Sequence, residues 1–71
     1  MKTNETTLIG QMIREIRESQ SLTVEKFAAL AGIYKSDVSD IETGQRNFTI
    51  NTLAKVASAL NCTIDVRLIP K

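Results

Sequence analysis

Hydrophobic side chains recur along this chain with two different periods, and the change of period divides it. Between Thr7 and Gln20, Leu8, Ile9, Met12, Ile13 and Ile16 fall at i, i+1, i+4, i+5 and i+8, which is one stripe of a helix. Arg14, Glu15, Arg17 and Glu18 occupy the remaining positions. The attractive Arg14/Glu18 pair at i, i+4 is offset by the like-charge pairs Arg14/Arg17 and Glu15/Glu18 at i, i+3, so the stripe predicts the helix and the charges do not. Thr6 or Thr7 offers the capping hydroxyl. Ser21–Leu22 breaks the pattern. Thr23 then opens a shorter helix over 23–31, with Phe27, Leu30 and Ala31 inward, Ala28 small enough for a close helix approach, and Gly32 placed for a left-handed stop. A third helix fits 35–43, with Val38 and Ile41 inward, Ile33 and Tyr34 packing at its entry, and Gly44 ending it. After the loop Gly44–Phe48, Thr49 caps a fourth helix over 50–60, whose stripe is Ile50, Leu53, Val56, Ala57 and Leu60, and Asn61 tolerates the left-handed conformation that ends it. From Cys62 to Ile69 the period becomes two. Ile64, Val66 and Leu68 alternate with Thr63, Asp65 and Arg67, and Pro70 stops the run, as in a strand.

Composition narrows what these elements can do. The 71 residues make one small domain, 1–71, with no repeat or linker, and residues 1–5 and 70–71 are expected to be loose. A chain of this size buries only about 60% of its unfolded surface, which leaves little room for a deep substrate cleft. Histidine is absent, and Cys62 is the only cysteine, so the commonest general base, a disulfide and a cysteine-cluster metal site are all missing. No side chain pair is spaced to activate Ser39 or Cys62 as a nucleophile, and Cys62 reads as a small apolar residue at the helix–strand corner. The expectation is a binding module and not an enzyme, with no cofactor and no metal. A lone cysteine, no apolar run approaching ~18 residues and no signal-peptide core point to a cytoplasmic protein without a membrane partner.

The second and third helices are joined by Gly32-Ile33-Tyr34, the short glycine-containing turn of a helix-turn-helix, in which the second helix enters a DNA major groove and the first braces it. The residues Ile13-Arg14 and Arg17, Thr23 through Ile33, Val38-Ser39 with Ile41-Glu42-Thr43-Gly44, and Leu53 through Leu60 together resemble the XRE, or lambda-repressor-like (Cro-type), helix-turn-helix family. The resemblance covers about Leu8 to Asn61. It implies a mainly α domain of four helices that binds double-stranded DNA. Arg17 and Glu42 match an ion pair that ties the first helix to the end of the third. Lys35, Ser36, Ser39 and Asp40 match positions that face base edges. Thr23, Arg46, Asn47 and Thr49 match positions around the phosphate backbone, where free helix N–H groups also attract anions, and Tyr34, through its hydroxyl, is a further candidate for phosphate contact. For Thr23 and Thr49, capping alone is the competing reading. For Tyr34 it is simple packing.

Three departures from the family pattern change the expected chemistry. Val24 stands where the family usually has glutamine, which removes a polar contact. Tyr34 replaces the usual Ser/Thr cap, and Phe48 replaces the loop proline as a plug for the core. The third helix is also acidic: Lys35 against Asp37, Asp40 and Glu42 gives −2, which is unfavourable beside phosphates. Arg17 neutralises Glu42 in this reading, and Asp37 is expected to reach the Tyr34 N–H and complete its cap. Asp40 either accepts from cytosine or is a solvated charge. The net charge of +1 hides an uneven distribution, because residues 1–42 hold five bases and seven acids while 43–71 hold four bases and one acid.

The strand at 62–69 has no partner in the sequence, and the same strand of a second copy would satisfy it. With the two-fold axis at Val66, Asp65 of one copy opposes Arg67 of the other, twice, while Ile64, Val66 and Leu68 cover the fourth helices. A homodimer would present two third helices to a palindromic operator, as a dimeric transcriptional repressor does. The alternative is a protein-interaction module or antitoxin with autoregulatory DNA binding secondary. A strand after the fourth helix is similar to HipB-type antitoxins, and that likeness implies a toxin kinase as a further partner.

Overall fold

The computed structural model describes residues 5–71, and four helices make up its ordered frame: α1 (Glu5–Ser19), α2 (Val24–Ala31), α3 (Lys35–Thr43) and α4 (Ile50–Ala59). Of the stretch 1–5 expected to be loose, residues 1–4 lie outside the described residues, and Glu5 is helical instead. The helix α1 begins at Glu5, so Thr6 and Thr7 stand inside its first turn and do not cap it. The threonines expected to cap α2 and α4 do so. Thr23 Oγ1 accepts from the Lys26 N–H at 3.1 Å, and Thr49 Oγ1 accepts from the Thr52 N–H at 3.1 Å.

All four helices stop in the same way. At each end one residue turns left-handed: Ser21 (φ 58°), Gly32 (φ 72°), Gly44 (φ 73°) and Asn61 (φ 58°). Its own N–H reaches back three residues and the next N–H reaches back five, as in Ile33 N to Ala28 O at 3.1 Å and Cys62 N to Ala57 O at 2.8 Å. This is the Schellman closure, which satisfies carbonyls that a helix end would otherwise leave open. The two glycines and the asparagine signal it in sequence. Ser21 gives no such signal, yet Leu22 N to Arg17 O at 3.1 Å completes the same motif.

The core is the apolar set Ile13, Phe27, Ala28, Ala31, Val38, Ile41, Val56 and Leu60, with Ile9, Ile16, Leu22, Val24, Ile33, Phe48 and Leu53 packed around it. In this arrangement α3 lies against both α1 and α2, and α4 lies against α2. The stripes were broader in sequence than the buried faces are. Leu30 is 57% exposed, Ile50 70% and Tyr34 79%, so none of the three packs inward as expected. An eight-residue α2 buries only two turns, filled by Phe27, Ala28 and Ala31, and Leu30 falls outside that arc. Tyr34 and Ile50 sit at helix starts, beyond the layer where the neighbouring helix reaches.

Between α1 and α4 lies an open apolar groove of about 220 Å³, whose walls include Ile9, Met12, Ile16, Leu53, Ala57 and Ile64. The segment after Asn61 runs along it and is exposed throughout. No residue among those described forms a strand, so the strand expected over 62–69 is not present in the single chain. A strand is defined by its ladder, and the described residues offer this segment nothing to pair with. Asp65 instead meets Arg67 of its own chain at 3.6 Å.

Candidate nucleic-acid interface

The placement of α3 follows from two contacts on its rear side. Arg17, on the last turn of α1, is only 8% exposed and Glu42 likewise 8%. Arg17 Nε donates to Glu42 Oε2 at 2.7 Å and Nη2 to Oε1 at 3.1 Å, a two-pronged fit of guanidinium and carboxylate. Arg17 Nη1 also donates to the Leu22 carbonyl at 2.7 Å, which fixes the α1–α2 turn. The hydrogen bond to Glu42 raises the Arg17 pKa above its ordinary value against the opposing effect of burial, so the guanidinium stays charged.

The second rear contact had no signal in hydrophobic pattern. Gly10 of α1 is buried against the end of α3, and a Cβ built there would lie 2.2 Å from the Ile41 carbonyl oxygen and 3.1 Å from that of Glu42. Only glycine permits this backbone approach. A glycine in mid-helix, where it costs stability relative to alanine, was the available clue.

Held from behind, α3 turns Lys35, Ser36 and Ser39 outward, all exposed, and Asp40 is half-exposed beside them. These are the four side chains expected at base edges, and all four lie outside the buried set of α3, Val38, Ile41 and Glu42. The Thr43 hydroxyl donates back to the Ser39 carbonyl at 2.8 Å. The residues expected around phosphates divide into groups. Arg46, Asn47 and Thr49 come together with Asp37 around a cleft of about 160 Å³ between the first turn of α3 and the start of α4. Asn47 Oδ1 accepts from Thr6 Oγ1 at 3.5 Å, which links this loop to α1. Thr23 stands apart at the start of α2, and Tyr34 projects into solvent at the start of α3.

The charges differ from expectation at one point. Asp37 does not cap Tyr34, whose helix start has no side-chain cap. Instead its carboxylate Oδ1 binds Arg46 Nη1, and Asp40 Oδ2 lies 3.9 Å from the same nitrogen. A guanidinium arriving from the following loop outcompetes a single backbone N–H, because a charged donor makes the stronger bond to a carboxylate. At the other end of α3, Lys35 Nζ lies 3.6 Å from Glu25 Oε2 of α2. Glu25 escaped the sequence reading, since nothing in α2 alone marks it as a neighbour of Lys35. Its carboxyl is held below the usual value, first by a hydrogen bond from its own backbone amide and then by Lys35. Every acid on α3 therefore faces a base: Glu42 behind, Asp37 and Asp40 in front.

Comparison with known proteins places this geometry. The helix-turn-helix family HTH_3 matches residues 13–66. The control protein C.BamHI of Bacillus amyloliquefaciens is 38% identical over 61 residues, spanning 84% of this chain and 75% of that protein. The putative antitoxin HigA2 of Mycobacterium tuberculosis is 47% identical over 55 residues, 76% of this chain but 54% of that protein. Among solved structures, the restriction-modification controller C.AhdI of Aeromonas hydrophila superposes with a TM-score of 0.81 at 36% identity, covering 83% of this chain and 89% of that one. The biofilm regulator SinR, solved in complex with DNA, gives 0.73 at 34% identity, covering 78% and 89%. A chain of the HipA–HipB–O2–O3 complex gives 0.80 over 99% of both chains at 20% identity, which is a likeness of fold. With α2 and α3 set around the Gly32 turn and α3 carried on the Arg17–Glu42 pair, the chain belongs to the XRE-type, lambda-repressor-like HTH_3 helix-turn-helix family.

Proposed function

We propose that the chain is a cytoplasmic transcriptional regulator, a repressor that binds double-stranded DNA as a homodimer and reads a palindromic operator through α3. One observation carries this reading: Lys35, Ser36, Ser39 and Asp40 stand together on the outward face of a helix whose rear is fixed by Arg17–Glu42 and Gly10. A helix so presented is suited to a major groove, with Thr23, Tyr34, Arg46, Asn47 and Thr49 at the backbone on either side. Similarity to C.BamHI, C.AhdI and DNA-bound SinR supports it. It is a binding protein in this reading, not an enzyme. Selection of binding sites from random duplex DNA tests it: a palindromic motif is expected, and failure to enrich one overturns it.

Dimerisation is proposed through the 62–69 segment. With the axis at Val66, the intrachain Asp65–Arg67 pair would be exchanged for two pairs across the interface. Asp65→Arg is expected to weaken the dimer in size-exclusion chromatography with light scattering, and Asp65→Arg with Arg67→Asp to restore it. A dimer indifferent to Asp65→Arg rejects this register.

A second reading, an antitoxin whose main partner is a protein such as a toxin kinase, is favoured by HigA2 and by the acid-paired front of α3. Steep loss of duplex affinity with rising salt favours the regulator, because phosphate contacts release counterions. A flat response favours the antitoxin.

A further inference from the structure

The front of α3 is neutralised from within, and this bears on how it meets DNA. Arg46 is the base of the loop beside the reading face, and its Nη1 is already engaged by Asp37 and lies 3.9 Å from Asp40. Lys35, the base on α3 itself, is 3.6 Å from Glu25. The Asp37 carboxylate is a planar, anionic, two-oxygen acceptor. It therefore offers Arg46 the same charge-assisted bonding that a phosphate would offer.

We propose that Asp37, aided by Asp40, is an internal stand-in for a DNA phosphate, and that it sets specificity by making non-specific binding unfavourable. The inference rests on the DNA-binding reading above. On arbitrary duplex, Arg46 reaches a phosphate only by leaving Asp37. The exchange gains one phosphate contact and uncovers one carboxylate, with a second at Asp40, beside a polyanion. Cations released from the DNA are then partly taken up again around these acids, so little is gained. On a correct half-site the account differs, because Asp40 can accept a hydrogen bond from a cytosine amino group in the groove. There one of the two uncovered acids, Asp40, acquires a partner. The same carboxylates that repel arbitrary DNA thus become tolerable on the operator.

The arrangement of exposure fits this role. The Asp37 side chain is 25% exposed and that of Arg46 51%, so the pair lies on the wall of the cleft, partly open to water. A partly exposed pair of this kind is more easily exchanged than the Arg17–Glu42 pair on the other side of the same helix, whose side chains are 10% and 6% exposed. Among the described residues Asp37 engages Nη1 of Arg46, and a guanidinium carries further donors with which to begin the exchange before Asp37 is released.

The test compares wild type with Asp37→Asn, Asp40→Asn and Asp37→Asn/Arg46→Ala, using a random-sequence duplex titrated by fluorescence anisotropy over a series of salt concentrations. Asp37→Asn is expected to bind random duplex roughly two- to five-fold more tightly, the range of an exposed ion pair. Its log K against log salt line should steepen by about one phosphate's worth. Asp40→Asn should move the same way by less, and Arg46→Ala in the Asp37→Asn background should cancel the gain. A far-ultraviolet melt of each variant controls for folding; if Asp37→Asn is unfolded, Asp40→Asn carries the test. Unchanged or weaker random-duplex binding by the folded acid-to-amide variants, with wild type binding normally, overturns the stand-in and leaves the DNA reading intact. Absence of duplex binding by wild type and every variant at low salt overturns both.

Discussion

Two ion pairs lie on opposite sides of α3, built from the same kinds of group and serving opposite ends. Behind the helix, Arg17 and Glu42 are each 8% exposed and meet through two hydrogen bonds. In front, Arg46 and Asp37 are half-exposed and one-quarter exposed and meet through one. Burial makes the difference. A buried charge that loses its partner has no water to turn to, so the rear pair is hard to break once made. An exposed charge exchanges partners at little cost, so the front pair is open to competition. One pair holds the helix in place. The other decides what the helix will touch.

The comparison breaks most severely at the rear. Arg17→Ala strands the Glu42 carboxylate and opens the Leu22 carbonyl, and a loss of about 3–5 kcal/mol is expected in urea unfolding. Arg17→Met with Glu42→Leu should recover most of it, because an apolar pair of similar volume removes both charges at once. Gly10→Ala comes next. With its Cβ 2.2 Å from the Ile41 carbonyl oxygen, α1 must move off α3, and roughly 1–3 kcal/mol is expected, read as a lower urea midpoint.

At the front, effects should appear in recognition before stability. Asp40→Ala is expected to relax one position of the selected half-site by about 1–3 kcal/mol of discrimination; an unchanged motif would remove Asp40 from the reading face. Arg46→Ala should change unfolding stability by less than about 1 kcal/mol yet weaken operator binding more than binding to arbitrary duplex and flatten the operator's salt dependence. Glu25 sharpens the contrast at its smallest. Its pKa is lowered in the folded state, so its contribution is present above the ordinary value of 4.5 and disappears as pH falls through the lowered value. Glu25→Gln should leave the neutral-pH melt almost unchanged, because the group is fully exposed, and should reduce the difference between melts taken above and below that value.

Much of the frame was readable from residue order alone. Thr23 and Thr49 as caps, and Gly32, Gly44 and Asn61 as stops, are local chemistry, and local chemistry is written in consecutive residues. What was lost depended on neighbours distant in sequence. Leu30, Tyr34 and Ile50 look inward by periodicity and stand outward because no helix reaches them. Gly10 looks like an imperfection in α1 until Ile41 and Glu42 arrive against it. Asp37 was assigned to the nearest open N–H, three residues away, while Arg46 came from nine residues away and carried a charge. The 62–69 segment shows the same limit from the other side: its alternation describes a strand, but a ladder requires a second strand, and the described residues contain none.

The contact at Gly10 has a mechanical consequence. Side chains between two helices act as a deformable layer, since rotamers can change and absorb a small displacement. Where a helix backbone touches a carbonyl of its neighbour directly, that layer is absent. The α1–α3 spacing is therefore set by atomic radii, and α1 and α3 should travel together as one stiff body. A push on α3 from a ligand in front would be transmitted into α1, and through it to the groove that α1 shares with α4 and the C-terminal segment.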